Sequence, residues 1–304
     1  MEPMEKAQKR FYGHDKLFSK YEPKIPASAE REYVRVTNQY MKLLKDELNE
    51  SLPELKEIYK ENLKTTDEYR MNYHTDSLST LMLAINQLFQ KMMQNLTNKM
   101  QGYGLRRKLE NMANLNRKLT IKEWKRAVKN TLGIDIREDY YMGDFYKEQM
   151  EQWISDNVDL IKTIPSDSLD RMKEIVLDGY TKGSDTKSMI KRIMEEYGKS
   201  KRKAKFIARD QTAKLNGNIA RAQQQDAGIT QYKWSTSGDE RVRPSHAALD
   251  GKIFDWANPP TNSDGRTCHP GEDFNCRCCA IPIFNTQLNL PIDGIETKEI
   301  SNEI

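Results

Sequence analysis

All four cysteines of this chain, and two of its four histidines, fall within residues 234–282, while everything upstream is lysine, glutamate and apolar residues at helical spacing. Cys268, Cys276, Cys278 and Cys279, with His246 and His269, offer six soft or borderline ligands to a tetrahedral ion that takes four. The two blocks of ligands are joined by a stretch rich in Pro, Asn, Gly and Asp. Such a stretch buries little apolar surface, so a metal would supply the missing stability. Zinc fits this ligand set best, with His246, His269, Cys276 and Cys278 as the expected four, Cys268 as substitute and Cys279 as a small buried residue. Two disulfides, or free thiols beside a hydrogen-bonded core histidine, are the alternatives. The tight Cys276-Arg277-Cys278 pair favours a closed structural site over a catalytic one.

Composition narrows the fold. With 37% hydrophobic and 31% charged residues in 304 and a mean hydropathy of -0.85, the core is expected to be thin and shared among long helices. A net charge of +4 does not by itself imply nucleic acid. Met1 is followed by Glu2 and Lys6 rather than an apolar run, and no stretch approaches the ~18 apolar residues of a membrane span. The expectation is a protein made in the cytoplasm, without membrane contact, where thiols stay reduced and metal is favoured over disulfide.

Along the chain, residues 1–28 mix Phe11, Tyr12, Phe18 and Tyr21 with lysines and close at Pro23 and Pro26. They read as an N-terminal arm that either docks on a partner subunit or folds back on its own domain. From 29 to 164 the pattern is helical. Tyr33, Val36, Tyr40, Leu43, Leu44 and Leu48 make one stripe, with Pro53 as a break or restart. A second stripe runs from Leu78 to Met100, opened by Asp76 or Ser77 and ended by Gly102 and Gly104. Its methionines read as core rather than as a pliable docking surface. Thr120 and Glu123 form a capping-box pattern before Trp124 and Val128, stopped at Gly133. The boundary is placed at Thr163-Ile164-Pro165.

Residues 165–286 read as three helices and a small sheet. Ser166 opens the first helix, Ser184 or Asp185 the second, and Gly198 separates the second from the third. Between Lys199 and Arg221 the only acid is Asp210, against eight Lys or Arg. Lys199, Lys201, Arg202, Lys203, Lys205 and Arg209 are therefore the candidate contact to nucleic acid or a capsid partner, sequence-independent because no base-reading motif accompanies them. Small residues at Ala208, Ala213, Gly217, Ala220 and Ala222 permit close approach to neighbours. After Gly228 the pattern alternates, and strands are expected over 231–234, 251–254 and 280–284. Residues 287–304 read as a frayed tail. The fold class is thus mainly α: a long-helix region followed by a small C-terminal α+β module, zinc-stapled.

The cysteine-rich residues also carry a likeness. Asp239-Glu240-Arg241-Val242-Arg243-Pro244-Ser245-His246, then Leu249-Asp250-Gly251, His269-Pro270 and Asn275-Cys276-Arg277-Cys278, resemble the C-terminal signature of the phage Mu F-like minor head proteins, the phage head morphogenesis family. Upstream, Ala208-Arg209-Asp210-Gln211-Thr212 leading to Gly228 and Trp234 resembles that family too, so the likeness covers about residues 165–284. Trp234, Asp239, Arg243, Asp250 and Gly251 are its structural positions. Arg243 is read as a partner for Asp239 or Asp250, and Asp250-Gly251 as turn chemistry. The resemblance implies a minor head protein of a tailed bacteriophage and not an enzyme. It would sit in the phage head interior near the portal, contact portal, capsid or scaffolding proteins and phage DNA, and act in DNA packaging, retention or ejection. The alternative from a different class is a metal-dependent phage nuclease using His246 with nearby acids.

Overall fold

The computed structural model describes residues 3–68, 74–182, 184–292 and 298–299. Its elements run α1 Pro3–Arg10, β1 Lys16–Phe18, α2 Ala27–Glu68, α3 His74–Tyr103, α4 Leu105–Leu132, α5 Glu138–Met142, α6 Lys147–Lys162, α7 Ile164–Thr181, α8 Thr186–Asp226, β2 Gln231–Ser235, α9 Pro244–Ala247, β3 Ile253–Asp255, β4 Cys279–Asn285, β5 Asn289–Leu290 and β6 Lys298–Glu299. The chain is mainly helical with a small C-terminal strand region, as its periodicity predicts. It divides into two units, one of Met1–Tyr33, Glu110–Ile154 and Arg209–Ile304, the other of Val34–Leu109 and Ser155–Ala208. Neither unit is a continuous stretch, unlike the successive segments expected from the sequence.

In the second unit the stripes become core. Val36, Tyr40, Leu44 and Leu48 of α2 are buried, as are Leu81, Ile85, Leu88, Phe89, Met92 and Leu96 of α3. Helix α3 packs on α7, which buries Leu169, Met172 and Val176. The side chains of Asp76, Ser77 and Leu78 lie outside the described residues, so the cap expected there has no structural counterpart to compare. Glu47 is buried among these apolar residues, and it is compensated by Lys99 at 2.7 Å and the Asn95 amide at 3.2 Å.

Three expected breaks do not occur. Pro53 lies inside the 42-residue α2. The lost backbone bond is outweighed because Leu48, Leu55 and Tyr59 on either side remain buried. Gly198 lies inside the 41-residue α8, where Tyr197, Ser200 and Ala204 are buried around it; packing of that size exceeds the ~1 kcal/mol propensity cost of a helical glycine. Thr120 caps nothing. It sits in the middle of α4, where its hydroxyl donates to the Asn116 carbonyl at 2.9 Å and approaches the Asn216 amide oxygen at 2.9 Å. At the predicted boundary, α7 starts at Ile164 with Pro165 in its first turn. Ser166 is therefore already helical rather than a cap. Asp185 does cap α8, its carboxylate accepting the Ser188 N–H at 2.9 Å.

The first unit carries a four-stranded antiparallel sheet in the order β1-β4-β2-β3. The alternation from Gln231 to Ser235 sends Tyr232 and Trp234 inward, fully buried. They join Trp124, Val128, Leu132, Tyr141, Trp256 and Phe284 in one core, with Trp124 stacked on Phe284 at 5.9 Å. Of the two readings of the N-terminal arm, fold-back describes this structure. Ala7 and Phe11 are buried, Leu17 pairs with Phe284, and the Tyr21 hydroxyl donates to Glu123 at 2.5 Å. The expected frayed tail begins inside that core. Leu288, Leu290 and Ile292 are buried, Ile292 bridges Ile136, and the Arg137 N–H donates to the Pro291 carbonyl at 2.7 Å. Alternating apolar residues in a short segment were enough to anchor it.

Candidate metal centre

Three local devices assemble the site within the first unit. Strand β2 presents Trp234. The turn at Arg243-Pro244, with Pro244 at the first helical position of α9, delivers buried Ser245 and His246. The loop from His269 to Cys278 wraps back over both. It is closed by Glu272, whose carboxylate accepts the His269 N–H at 2.6 Å, and by Asn275 in the left-handed region at φ 47°. That loop is fixed to α8 by Asp210, which accepts the Asn275 N–H at 2.7 Å. A Cβ at Gly217 would come within 3.0 Å of the Pro270 carbonyl, so the expected close approach of α8 happens at this loop.

At the centre, His246 Nδ1 faces Cys276 Sγ and Cys278 Sγ at 3.5 Å each. His246, Cys276 and Cys278 are all buried, and one ligand atom from each lies within 4.8 Å of the others. A second group of the same kind is His246, Cys268 and Asp273. All four cysteines are free, so the disulfide alternative does not describe this structure.

The thiols differ in their surroundings. Cys276 is held down to about 5, first by the Cys278 thiol and then by His246 and the N–H groups of Cys278 and Gly271, against the cost of burial. Both N–H groups lie 3.4 Å from its sulfur. Cys278 is pushed up, because it shares a site with the Cys276 thiolate and is buried; the Trp234 indole opposes that rise. The Trp234 Nε1–H is buried and makes no close, well-aligned hydrogen bond to nitrogen or oxygen, which leaves the Cys278 sulfur as the acceptor it influences. A buried donor left over beside a sulfur suits a thiolate there. Burial pushes Cys268 up to about 11 and Cys279 up to about 12. Half-buried at the start of β4, Cys279 stands outside both groups.

The other nitrogen of His246, Nε2, lies 3.1 Å from Asp273 Oδ2. Asp273 is a hub. Its carboxylate accepts from Arg243 at 2.5 Å, Arg266 at 2.7 Å and the Phe274 N–H at 2.7 Å. Burial opposes its charge, but these donors outweigh burial and hold the carboxyl below its usual range. The contact with the Cys276 sulfur raises His246 above the usual imidazole value, against burial.

Several expected roles move. His269 is in neither ligand group. Its Nδ1 meets the Tyr232 hydroxyl at 2.9 Å, its ring packs 4.9 Å from Trp256, and burial lowers its pKa. It is a core histidine in an aromatic cluster. Arg243 pairs with Asp273 and with the Phe274 carbonyl rather than with Asp239 or Asp250. Asp239 instead pairs with Arg277 at 2.5 Å. Asp250 holds the turn as expected, accepting the Thr236 N–H at 2.7 Å and its hydroxyl at 3.1 Å, while the Gly251 N–H donates to the Trp234 carbonyl at 2.8 Å. Asp273 was not singled out from sequence. The signal was present, since it is the acid between His269 and Cys276, but linear spacing does not reveal which side chains converge.

Lys199, Lys201, Arg202, Lys203, Lys205 and Arg209 are all exposed on α8. Two have acidic neighbours, Lys199 with Glu196 at 3.7 Å and Arg209 with Glu30 at 3.1 Å. Phe206, 48% exposed, adds an aromatic that sequence reading passed over. The buried stripe of α8 at Ile193, Tyr197, Ala204 and Ala208 leaves position 206 off the apolar face, which a helical projection would have shown.

Residues 170–281 match the family model described as Phage Mu protein F like protein, which encloses the His246–Cys276–Cys278 group and the basic face of α8. A Haemophilus influenzae protein described as uncharacterized is 40% identical over 176 residues, covering 57% of this chain. The chain spans 38% of that relative's length. No solved structure matches. No described helix is long and apolar enough to cross a membrane.

Proposed function

We propose that this protein is a minor head component of a tailed bacteriophage, acting in head morphogenesis near the portal and in packaging, retention or ejection of phage DNA, with a structural zinc in its C-terminal module. The observation that carries the reading is the match of residues 170–281 to the Phage Mu protein F like family. That segment holds the buried ligand group and the run of exposed cations. Portal, capsid or scaffolding proteins are its protein partners, and the virion head interior is its place after assembly in the host cytoplasm.

Geometry supports the zinc. Ligands at the usual zinc–nitrogen and zinc–sulfur bond lengths in a tetrahedron stand roughly 3.6 Å apart, and His246 Nδ1 stands 3.5 Å from each of the two sulfurs. His246, Cys276 and Cys278 would supply three of the ion's four coordination positions, which would tie α9 to the 269–278 loop. The metal would join these segments within a core that already holds Trp234, Leu249, Cys276 and Cys278. The exposed cations of α8 support sequence-independent contact with phosphate backbone. The nuclease alternative has less support, because two of the three acids it would use with His246 (Asp239, Glu240 and Asp250) are engaged: Asp239 by Arg277 and Asp250 by Thr236.

Three measurements test the reading. About one zinc per chain is expected in protein purified without chelator, lost in His246→Ala and Cys278→Ala; zinc-free protein whose variants fold normally would end the structural-zinc part. Co-purification with portal or scaffold regardless of DNA content is expected for the assembly role. Divalent-metal-dependent cleavage of plasmid DNA, abolished by His246→Ala, would replace that role with the nuclease.

A further inference from the structure

We propose that Asp273 is the positioning residue of this centre: it takes the proton-bearing Nε2 of His246 and so presents Nδ1, and only Nδ1, to the metal. The inference rests on the metal reading above and adds to it the bonding nitrogen, the residue that selects that nitrogen and the two arginines that hold the selector.

A singly protonated imidazole has one N–H and one lone pair, and whatever the N–H donates to decides which nitrogen remains free. Asp273 Oδ2 lies 3.1 Å from Nε2, and two sulfurs lie 3.5 Å from Nδ1. Both nitrogens are therefore spoken for in a ring that is 3% exposed. The Trp234 ring stands edge-on at 5.6 Å and hinders the flip that would exchange them. A carboxylate behind a ligating histidine is a recurrent arrangement in metal sites, where it fixes the tautomer and raises the basicity of the ligand nitrogen.

Asp273 is unusually well placed to remain charged while buried. Arg243 and Arg266 grip its two oxygens from different segments, at 2.5 and 2.7 Å, and the Phe274 N–H adds a third donor at 2.7 Å. Arg243 also donates to the Phe274 carbonyl, so the same guanidinium fixes the backbone that carries the carboxylate. The side chain of Arg266 is half exposed, which makes it the milder place to perturb the hub.

The test uses the full chain loaded with cobalt(II), whose thiolate absorption reports the site, in competition with a chelator. Asp273→Asn is expected to bind cobalt about ten- to hundredfold more weakly than wild type while its far-ultraviolet circular dichroism is unchanged. Arg266→Gln, which leaves the Asp273 charge and the Arg243 grip in place, is expected to weaken binding in the same direction by less. Nitrogen-15 spectra of histidine-labelled, cadmium-113-loaded wild type are expected to show cadmium coupling at His246 Nδ1 and a proton on Nε2. This last measurement stands even if Asp273→Asn fails to fold. Metal bound with unchanged affinity in Asp273→Asn, or coupling at Nε2, overturns this inference alone. A wild type that binds neither cobalt nor cadmium overturns the metal reading and this inference with it.

Discussion

Gly228 links the end of α8 to β2, and replacing it should be far more costly than replacing other glycines of similar conformation. Its φ is +75°, and a Cβ there would lie 2.7 Å from the Gln287 carbonyl oxygen, a backbone atom that cannot rotate away. The neighbourhood is pinned. The Ile229 N–H donates to the Gln224 carbonyl at 2.9 Å and the Asn289 N–H to the Ala227 carbonyl at 3.1 Å, while the Asn285 amide donates to the Gly228 carbonyl at 3.1 Å. Gly238 has nearly the same φ, +67°, with nothing within 4 Å of the added carbon. Gly238→Ala therefore isolates the left-handed backbone cost, roughly 1–2 kcal/mol. Gly228→Ala adds an overpacking cost of about 1–3 kcal/mol, for a total of about 2–5 kcal/mol. All four tryptophans, at 124, 153, 234 and 256, belong to the first unit, so equilibrium denaturation followed by tryptophan fluorescence reports the unit where both glycines lie. Equal destabilisation by the two substitutions would refute the argument from close approach.

Other consequences follow from buried polar groups. Burial raises the Asp226 pKa above the usual carboxylate range, against the hydrogen bond from Tyr140 at 3.0 Å. The folded state thus binds the proton more readily than the unfolded chain, and this group's contribution improves as pH falls through the raised value and is lost above it. Asp226→Asn should be at least as stable as wild type at neutral pH, with the difference vanishing in acid; thermal melts across pH would show a wild-type advantage at neutral pH if this is wrong. Lys99→Met leaves the buried Glu47 carboxylate without its 2.7 Å partner and should cost about 1–3 kcal/mol, largely recovered by adding Glu47→Gln. Asp210→Ala removes the acceptor of the Asn275 N–H and the 2.8 Å partner of Lys214. Faster amide exchange at Asn275 than in wild type is the expected sign, and unchanged exchange would mean that the loop does not depend on α8.

Much of this architecture was legible because it follows from period. The apolar stripes of α2 and α3, the change to alternation after Gly228 and the glycine stops at 104 and 133 needed only local geometry. What misled was also local: Pro53, Gly198 and Thr120 carry break or cap signals that long-range burial overrides. In the site, residue types announced soft-ligand chemistry, and His246, Cys276 and Cys278 do converge. His269 satisfied the same residue-type rule yet serves the core, because Tyr232 and Trp256, distant in sequence, surround it. Asp273 went unnoticed for the converse reason, since its importance lies in what two other segments, the turn at Arg243–His246 and the loop at Arg266, bring to it.

The strand pairing of β1 with β4 has a consequence for how the chain acquires its shape. Lys16–Phe18 pair with Ile283–Asn285 of β4, so the flank of the sheet cannot close until the long stretch between the two strands has been made. Closing so long a loop is entropically slow. Until it closes, the finished β2–β4 pair presents an unpaired edge, open to neighbouring chains. The N-terminal segment is in that sense a latch waiting for its catch: it guards the sheet against intermolecular pairing only once β4 arrives.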